Sequence, residues 1–373
     1  MSGFEELGVS EEFVKGLAGL KIFQPTKIQE KVIPILLNNT TNFIGQAHTG
    51  TGKTAAFGIP LLQTIDPDLE KIQGLILCPT RELGQQVAKQ LFKFTKFSRK
   101  IFIESVYGGT SIDEQIQRLD RPTHIVVATP GRLIDLINRK AIDLANVSTV
   151  ILDEADEMIS MGFKDELEEI LKGLKNVDQK WLFSATMPDD IKSIVHDYLS
   201  ENVERVDVSS KNVVNKNIAH QYIACTENDK LNILFQFLKS QGDNRGVVFC
   251  RTKAATQKLA MQLKAKNIAT EALHGDLSQR ERDKVMRAFK NKTHRVLIST
   301  DVAARGIDID GLTFVIHYQL PEKEEYYTHR AGRTARAGNE GVSLCLITTS
   351  EIKKIRFYER VLGITFTQLK PNR

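Results

Sequence analysis

The stretches LILCPT (75–80) and VVFCRT (247–252) are both apolar runs that end in threonine, and they lie 172 residues apart. A second pair, VVATPGR (126–132) and LISTDVA (297–303), is offset by 171 residues. In each half a glycine turn, YGGT or LHGD, lies between the two stretches. Three matches in the same order at nearly one offset indicate an internal duplication.

Apolar runs of strand length alternate with amphipathic segments of helix length throughout the chain, which is typical of α/β domains with parallel sheets. The strands are almost continuously apolar, so both faces of each sheet should be covered by helices. Such sheets hold their ligands at the carboxyl ends of the strands. The sequence therefore predicts two α/β domains, residues 1–208 and 218–373, joined by a polar linker at 209–217.

Composition limits the function classes. The chain has 373 residues and a net charge of +5, but residues 1–210 carry a net charge of −7 and the remainder +12. This asymmetry favours a polyanionic partner. The four cysteines are scattered without CxxC spacing, no apolar run approaches membrane-spanning length, and the N-terminus lacks the features of a signal peptide. We expect a cytoplasmic protein with neither a zinc site nor a disulfide framework.

The stretch AHTGTGKT (47–54) lies between an apolar strand and a helical segment, as a phosphate-binding loop requires. Gly50 and Gly52 would let backbone N–H groups approach phosphate oxygens. Lys53 would reach the β- and γ-phosphates, and the Thr54 hydroxyl would hold Mg²⁺. This spacing predicts a nucleoside triphosphate site.

A second acidic signal, ILDEADE, follows further along the chain. Asp153 is the expected Mg²⁺ partner, and Glu154 is a candidate general base for the attacking water. Acids at this point could instead serve a solvated helix start, where the helix dipole favours them. Beside a phosphate loop, a metal site is the better interpretation.

The stretch HRAGRTARAG (329–338) contains Arg330, Arg333 and Arg336 with no acid among them. These arginines belong to the domain without a phosphate loop of its own. We expect the missing anion to be ATP held by the other domain. The alternative is a basic helix end paired with scattered glutamates.

Nearly the whole chain resembles the DEAD-box family of ATP-dependent RNA helicases. The motifs that carry this resemblance are PTKIQ (25–29), AHTGTGKT, PTRELGQQ (79–86), the Gly108-Gly109 pair, TPGR (129–132), DEAD (153–156), SAT (184–186), VVFCRT, QRER (279–282), STDVAARGID (299–308) and HRAGRTAR (329–336). The resemblance implies two tandem RecA-like domains, each a parallel sheet covered by helices on both faces. It also implies RNA-stimulated ATP hydrolysis with Mg²⁺, coupled to local separation of short RNA duplexes or to remodelling of RNA–protein complexes.

The resemblance also assigns roles to individual residues. The ATP-binding set is Phe4, Gln29, Gly50, Thr51, Gly52, Lys53, Thr54 and Asp308. Gln29 would recognise the adenine edge, Phe4 would stack on the ring, and Asp308 would contact the ribose. The catalytic set is Lys53, Asp153, Glu154, His329, Arg333 and Arg336, with the last two as arginine fingers. The family has glycine and an aromatic residue where this chain has Lys21 and Ile22, with Phe23 one place late.

By the same resemblance, RNA would lie across both domains and be held through its backbone, with little sequence preference. The backbone-contacting set is Arg81, Gly108, Thr129, Arg132, Arg251, Gly275, Arg282 and Thr300. Ser184 and Thr186 would couple the DEAD carboxylates to domain closure. The single tryptophan, Trp181, is expected in the core.

Two other function classes stay open on the sequence alone. One is a DNA translocase with the same two-domain ATPase, and the other is an ATP-dependent RNA clamp or assembly platform with little unwinding. The residues do not identify the RNA served or any protein cofactor.

Overall fold

The computed structural model describes residues 3–39, 41–47, 50–174, 177–199, 203–208, 217–304, 311–322, 324–335 and 339–370. The chain divides into two compact units, Met1–Ser209 and Ser210–Arg373. Most of the predicted linker lies outside the described residues.

The first unit contains a parallel sheet and the helices that flank it. Its strands are β1 (Asn42–Gln46), β2 (Gly74–Leu77), β3 (Ile103–Val106), β4 (Ile125–Ala128), β5 (Thr149–Asp153), β6 (Gln179–Ser184) and β7 (Val203–Asp207). Its helices are α1 (Glu11–Gly19), α2 (Lys27–Asn38), α3 (Lys53–Thr64), α4 (Arg81–Phe94), α5 (Ile112–Leu119), α6 (Pro130–Asn138), α7 (Ala155–Ser160), α8 (Lys164–Gly173) and α9 (Asp189–Tyr198).

The second unit repeats this plan. Its strands are β8 (Ile218–Ala224), β9 (Gly246–Phe249), β10 (Thr270–Leu273), β11 (Val296–Ser299), β12 (Phe314–His317), β13 (Gly341–Ile347) and β14 (Thr367–Leu369). Its helices are α10 (Lys230–Ser240), α11 (Lys253–Lys264), α12 (Gln279–Lys290), α13 (Asp301–Ala304), α14 (Glu324–Ala331) and α15 (Ile352–Leu362). In the part of the chain that the structure describes, no helix combines the length and apolar character needed to cross a bilayer.

The two sheets have the same strand order. The first runs β3-β4-β2-β5-β6-β1-β7 and the second β10-β11-β9-β12-β13-β8-β14, with every strand pair parallel. The repeated stretches LILCPT and VVFCRT include β2 and β9, which are each third in the strand order of their sheets. The predicted fold class is confirmed. The repeat in the sequence corresponds to two parallel sheets with the same strand order.

Alternate residues along the strands pack into separate hydrophobic cores on the two faces of the first sheet. Ile76 and Cys78 pack with α3 on one face, while Leu75 and Leu77 pack with α6 and α8 on the other. Trp181 is fully buried in the first of these cores, as expected. The second sheet is arranged in the same way, with Val248 and Cys250 on the face covered by α10 and α11.

A chain of hydrogen bonds crosses the core of the second domain beneath α14. Tyr327 of α14 bonds through its hydroxyl to His220 Nδ1 and to Ser343 Oγ, and His317 Nε2 bonds to the same serine hydroxyl. Burial lowers the pKa of His220 to about 4 and holds that of His317 well below its ordinary value. Both imidazoles are therefore neutral in the folded domain at physiological pH.

These buried histidines should make the second domain sensitive to acid. Below about pH 6.5 the unfolded chain binds protons that folded His220 does not take up until about pH 4. Stability should therefore fall across this window, by about 2 kcal/mol at pH 5 from His220 alone. Hydrogen exchange of β8 measured at pH 7 and pH 5 would show the loss.

A His220→Gln chain keeps a polar partner for Tyr327 but cannot titrate, so it should lose less stability on acidification. Trp181 fluorescence reports only the first domain and serves as the internal control, since it is the single tryptophan. Equal losses in the parental and His220→Gln chains would contradict this origin of the acid sensitivity.

Candidate nucleotide and RNA site

The segment between β1 and α3 contains both candidate glycines of the predicted phosphate loop, while His48 and Thr49 lie outside the described residues. Gly50 and Gly52 have φ angles of +81° and +93°, in the left-handed region that favours glycine. A Cβ atom on Gly52 would also lie 2.4 Å from the Gln29 Nε2 atom. Gly52 is the N-cap of α3, so the backbone turns directly into the helix that begins with Lys53.

Gln29 is buried on α2, and its amide connects two backbone segments. Its Oε1 accepts a hydrogen bond from the Thr26 amide at 2.9 Å, and its Nε2 donates to the Gly52 carbonyl oxygen at 3.0 Å. A primary amide has a second N–H and a second lone pair, so Gln29 keeps the capacity to contact a base. Recognition of adenine by Gln29 stays a prediction.

The aromatic residues near Gln29 differ from expectation in their packing. Phe4 lies fully inside the core of the first domain, so the structure gives it a packing role, and its stacking on adenine stays a prediction. Lys21, at the position of the family's glycine, has a φ angle of +61°, in the left-handed region that favours glycine. Ile22 packs against the core, whereas Phe23 is 57% exposed and is not a core residue.

Lys53 and Asp153 are both buried at the carboxyl edge of the first sheet. They are 7% and 3% exposed, and neither Lys53 Nζ nor Asp153 Oδ1 has a hydrogen-bond partner in the described residues. Burial raises the pKa of Asp153 to about 7, while the charge on Lys53 acts to lower it. Buried polar atoms are ordinarily paired, so these two atoms fit a ligand with both phosphate oxygens and a cation.

Glu154 has unusual backbone geometry. Its φ and ψ are both 52°, which places a non-glycine residue in the left-handed region as the N-cap of α7. This conformation costs about 1–2 kcal/mol. Such strain persists only where the surrounding structure enforces it, and it is concentrated at functional sites.

Ser184 and Thr186 both contact Asp156, the last residue of the DEAD motif. Asp156 Oδ2 accepts hydrogen bonds from the amide and the hydroxyl of Thr186, each at 2.8 Å. The Asp156 amide donates to Ser184 Oγ, which donates to the Thr186 carbonyl oxygen. Sequence analysis did not single out Asp156, although this residue links the end of β5 to the end of β6.

In the first domain the RNA-candidate residues lie after the carboxyl ends of the strands. Thr129 follows β4 as the N-cap of α6, and Arg81 begins α4 with its guanidinium 4.6 Å from the ring centre of Tyr107. Arg132 Nη2 donates to the Thr110 carbonyl oxygen at 3.0 Å, next to the exposed Gly108–Gly109 turn.

Gln115, a fully buried residue that the sequence analysis missed, stabilises the Gly108–Gly109 turn through hydrogen bonds to the residues on either side of it. Its amide bonds to both the N–H and the carbonyl oxygen of Tyr107 at 3.0 Å, and donates to Thr110 Oγ1 at 2.6 Å.

Two of the second-domain candidates, Thr300 and Gly275, occupy positions equivalent to Thr129 and the Gly108–Gly109 turn. Thr300 follows β11 at the start of α13, and Gly275 is exposed after β10. Arg282 Nη2 donates to the Ala303 carbonyl oxygen at 2.8 Å. Arg251 Nε donates to the Leu320 carbonyl oxygen at 2.7 Å, and its Nη2 lies 3.6 Å from Glu351 Oε1.

The three arginines of HRAGRTARAG are not equivalent. Arg330 is buried and forms a two-point ion pair with Asp301, and it also donates to the Gln319 carbonyl oxygen. The expectation that all three lack an acid is therefore wrong for Arg330. His329 lies on α14 and Arg333 just beyond its end, both partly buried, while Arg336 and Asp308 lie outside the described residues.

Two family profiles match the chain. Residues 26–194 match the DEAD/DEAH box helicase profile, and residues 229–338 match the helicase conserved C-terminal domain. The chain is 43% identical to the DEAD-box ATP-dependent RNA helicase CshA of Geobacillus kaustophilus, over all of this chain and 79% of that protein.

Solved structures agree with this family. S. cerevisiae Dbp5 bound to RNA and ADP BeF3 is similar with a TM-score of 0.90 and 31% identity, over 100% of this chain and 96% of that one. Mss116p bound to ssRNA and AMP-PNP is similar with a TM-score of 0.89 and 28% identity, over 99% and 78%. This chain belongs to the DEAD-box family of ATP-dependent RNA helicases.

Proposed function

We propose that this protein hydrolyses ATP in response to RNA and uses the hydrolysis cycle to separate short RNA duplexes or remodel RNA–protein complexes. The observation that carries the proposal is the buried pair of Lys53 Nζ and Asp153 Oδ1, both without a hydrogen-bond partner, beside the left-handed glycines of the loop. A triphosphate with its cation satisfies both atoms. We also propose that the protein works in the cytoplasm.

Thr54 and Asp153 are the residues that would hold Mg²⁺. The oxygen donors fit a hard cation, and Asp153 becomes ionised when it binds one. When bound, Mg²⁺ would neutralise charge on the phosphate oxygens.

The remaining steps of hydrolysis use the chain's own groups. Glu154 accepts the proton of the attacking water, and Lys53 stabilises negative charge on the β- and γ-phosphates. Arg333 and Arg336 act as fingers on the γ-phosphate when the domains close, and His329 positions the reacting groups. Gln29 selects adenine, and Asp308 contacts the ribose.

RNA is held by the residues that follow the strands of the two sheets. Helix starts, arginines and exposed glycines suit contacts with phosphates and 2′-hydroxyls, which carry no base code. Asp156 of the DEAD motif donates its N–H to Ser184 Oγ and accepts a hydrogen bond from the Thr186 hydroxyl, and these bonds would couple the motif to domain closure. Because ATP and RNA both favour closure, each should raise the affinity for the other by the same factor.

The first prediction separates nucleotide binding from turnover. Lys53→Ala should weaken ATP binding, because the phosphates lose their buried cation. Glu154→Gln preserves the size and backbone of the residue, so it should bind ATP normally and lose turnover by about 10²-fold or more. Equilibrium binding of a fluorescent ATP analogue and RNA-stimulated phosphate release measure the two effects. A Glu154→Gln chain with parental turnover would exclude Glu154 as the base.

The second prediction concerns the finger Arg333. Arg333→Ala should reduce RNA-stimulated phosphate release by about 10³-fold or more, with ATP binding in the absence of RNA little changed. Lysine should substitute poorly, because a point charge cannot reproduce the planar guanidinium fork. Arg360→Ala removes an exposed arginine from α15 of the same domain and is the matched control. Equal activities of the Arg333 and Arg360 variants would remove Arg333 from the site.

The third prediction tests the RNA surface through salt. Single-strand affinity should fall with log salt at a slope of about −0.7 per contacted phosphate, so Arg282→Ala should flatten the slope by roughly 0.7. Arg287→Ala, on the same helix but about 7 Å farther from its first turn, should not. Fluorescence anisotropy with two unrelated RNA sequences would measure slope and sequence preference together. If Arg282→Ala and Arg287→Ala give the same slope, Arg282 is not a phosphate contact.

A further inference from the structure

The duplication gives the phosphate loop a counterpart in the second domain. Gln46 pairs with Ser184 at the ends of β1 and β6, and Ala224 pairs with Ile347 at the ends of the equivalent strands β8 and β13. Six residues then lead to α3, and five residues lead to α10. Both helices begin with a lysine, which makes Lys230 the counterpart of Lys53.

Both lysines are buried, but they differ in their partners. Lys230 is 1% exposed, and its Nζ lies 2.7 Å from Glu227 Oε1 and 3.9 Å from Glu351 Oε2. Lys53 Nζ, in contrast, has no hydrogen-bond partner in the described residues. The lysine of the second domain is therefore neutralised by acids of its own domain.

The loops explain the difference. Residues 47–52, AHTGTG, contain no acid, whereas residues 225–229, CTEND, contain Glu227 and Asp229 and no glycine. The second loop is also closed on itself, since the Thr226 hydroxyl donates to Asp229 Oδ2 at 2.6 Å. It presents two carboxylates at the point where the first loop would present N–H groups to phosphate.

At the neighbouring strand end, the second domain lacks the acid that the first domain has. Leu77 pairs with Leu152 in the first sheet, and its counterpart Phe249 pairs with His317 in the second. The residue after Leu152 is Asp153, so the residue after His317, Tyr318, is its counterpart. Burial raises the pKa of Tyr318 to about 12, and the charge on Glu227 acts in the same direction. Tyr318 is therefore neutral and offers no counter-charge to Lys230.

We propose that residues 225–230 are a degenerate phosphate loop in which the Glu227 carboxylate occupies the place of a bound phosphate and excludes nucleotide phosphates from the second domain. Glu227 is 64% exposed, so it can be replaced without leaving a cavity, and among the described residues buried Lys230 would then keep only Glu351, whose Oε2 lies 3.9 Å from the Lys230 Nζ atom. An oxyanion such as a diphosphate group has the chemistry to take that place. Glu227 is thus a specificity-determining residue that confines the triphosphate to the first domain.

The test uses inorganic pyrophosphate as the probe and hydrogen exchange of the full chain as the readout. In a Lys53→Ala background, Glu227→Gln should create pyrophosphate-dependent protection of amides 226–232. Calorimetry should show binding at millimolar pyrophosphate that the Lys53→Ala chain lacks. Adding Lys230→Met should abolish both effects. The Glu227→Asp chain keeps the carboxylate and should show neither.

Glu271→Gln is the matched control. It removes one acid from the same domain and breaks an ion pair with Lys264, but that lysine is 46% exposed and lies at the carboxyl end of α11. It should therefore gain no pyrophosphate binding. If Glu227→Gln lowers the melting temperature of the second domain, pyrophosphate should restore it and chloride at equal ionic strength should not.

A folded Lys53→Ala/Glu227→Gln chain with no pyrophosphate protection at 226–232 would overturn the proposal, as would protection that survives Lys230→Met. The inference rests on the phosphate-binding role of the loop at 47–54, which the parental chain tests separately. ATP should protect that segment in the parental chain, and absence of this protection would contradict the proposed function instead.

Discussion

An ammonium group removed from water needs a counter-charge within a few ångströms, because burial of an unpaired charge costs several kcal/mol. Each domain of this protein buries one such lysine at the start of the helix that follows its β1-type strand. In the first domain Lys53 has Asp153 as its nearby acid but no hydrogen-bond acceptor, so its site is electrostatically incomplete. In the second domain Glu227 and Glu351 complete the pairing of Lys230. We infer that this difference, together with the glycines that the first loop has and residues 225–229 lack, makes the first domain the nucleotide site and leaves the second closed to phosphate.

Parallel strands bring the carboxyl end of every strand to the same edge of a sheet. This constraint explains why the candidate functional residues lie together at that edge. Thr129 and Thr300 occupy equivalent positions after β4 and β11, where α6 and α13 begin. Backbone N–H groups at a helix start can donate hydrogen bonds to the phosphate oxygens of RNA in either domain. ATP would need the glycine-containing loop, which residues 225–229 do not reproduce. In the proposed function, the duplication would thus provide two similar RNA surfaces but a single triphosphate site.

The sequence predicts the fold because strand length, apolar character and the repeat offset are local or periodic signals. It also predicts a phosphate loop, since glycine and lysine would act there through backbone conformation and adjacent charge. Asp156 and Gln115 escaped prediction because their hydrogen bonds join segments distant in the chain or depend on burial. The partner of Arg330 was missed for the same reason, because Asp301 lies 29 residues earlier in sequence.

Arg330 and Arg333 of HRAGRTARAG have different structural roles that the sequence alone does not show. Tyr327 and Arg330 both point into the second domain, where Tyr327 bonds to His220 and Ser343 and Arg330 binds Asp301 at two points. These contacts fix the rotation of α14 about its axis and the place where it ends. Arg333 comes three residues after Arg330, immediately beyond that end. A finger must meet developing charge with little rearrangement, and the two buried contacts supply the rigidity. Arg330 is therefore the arginine that holds the stretch in place, and Arg333 is an arginine that such an anchor can present to a nucleotide.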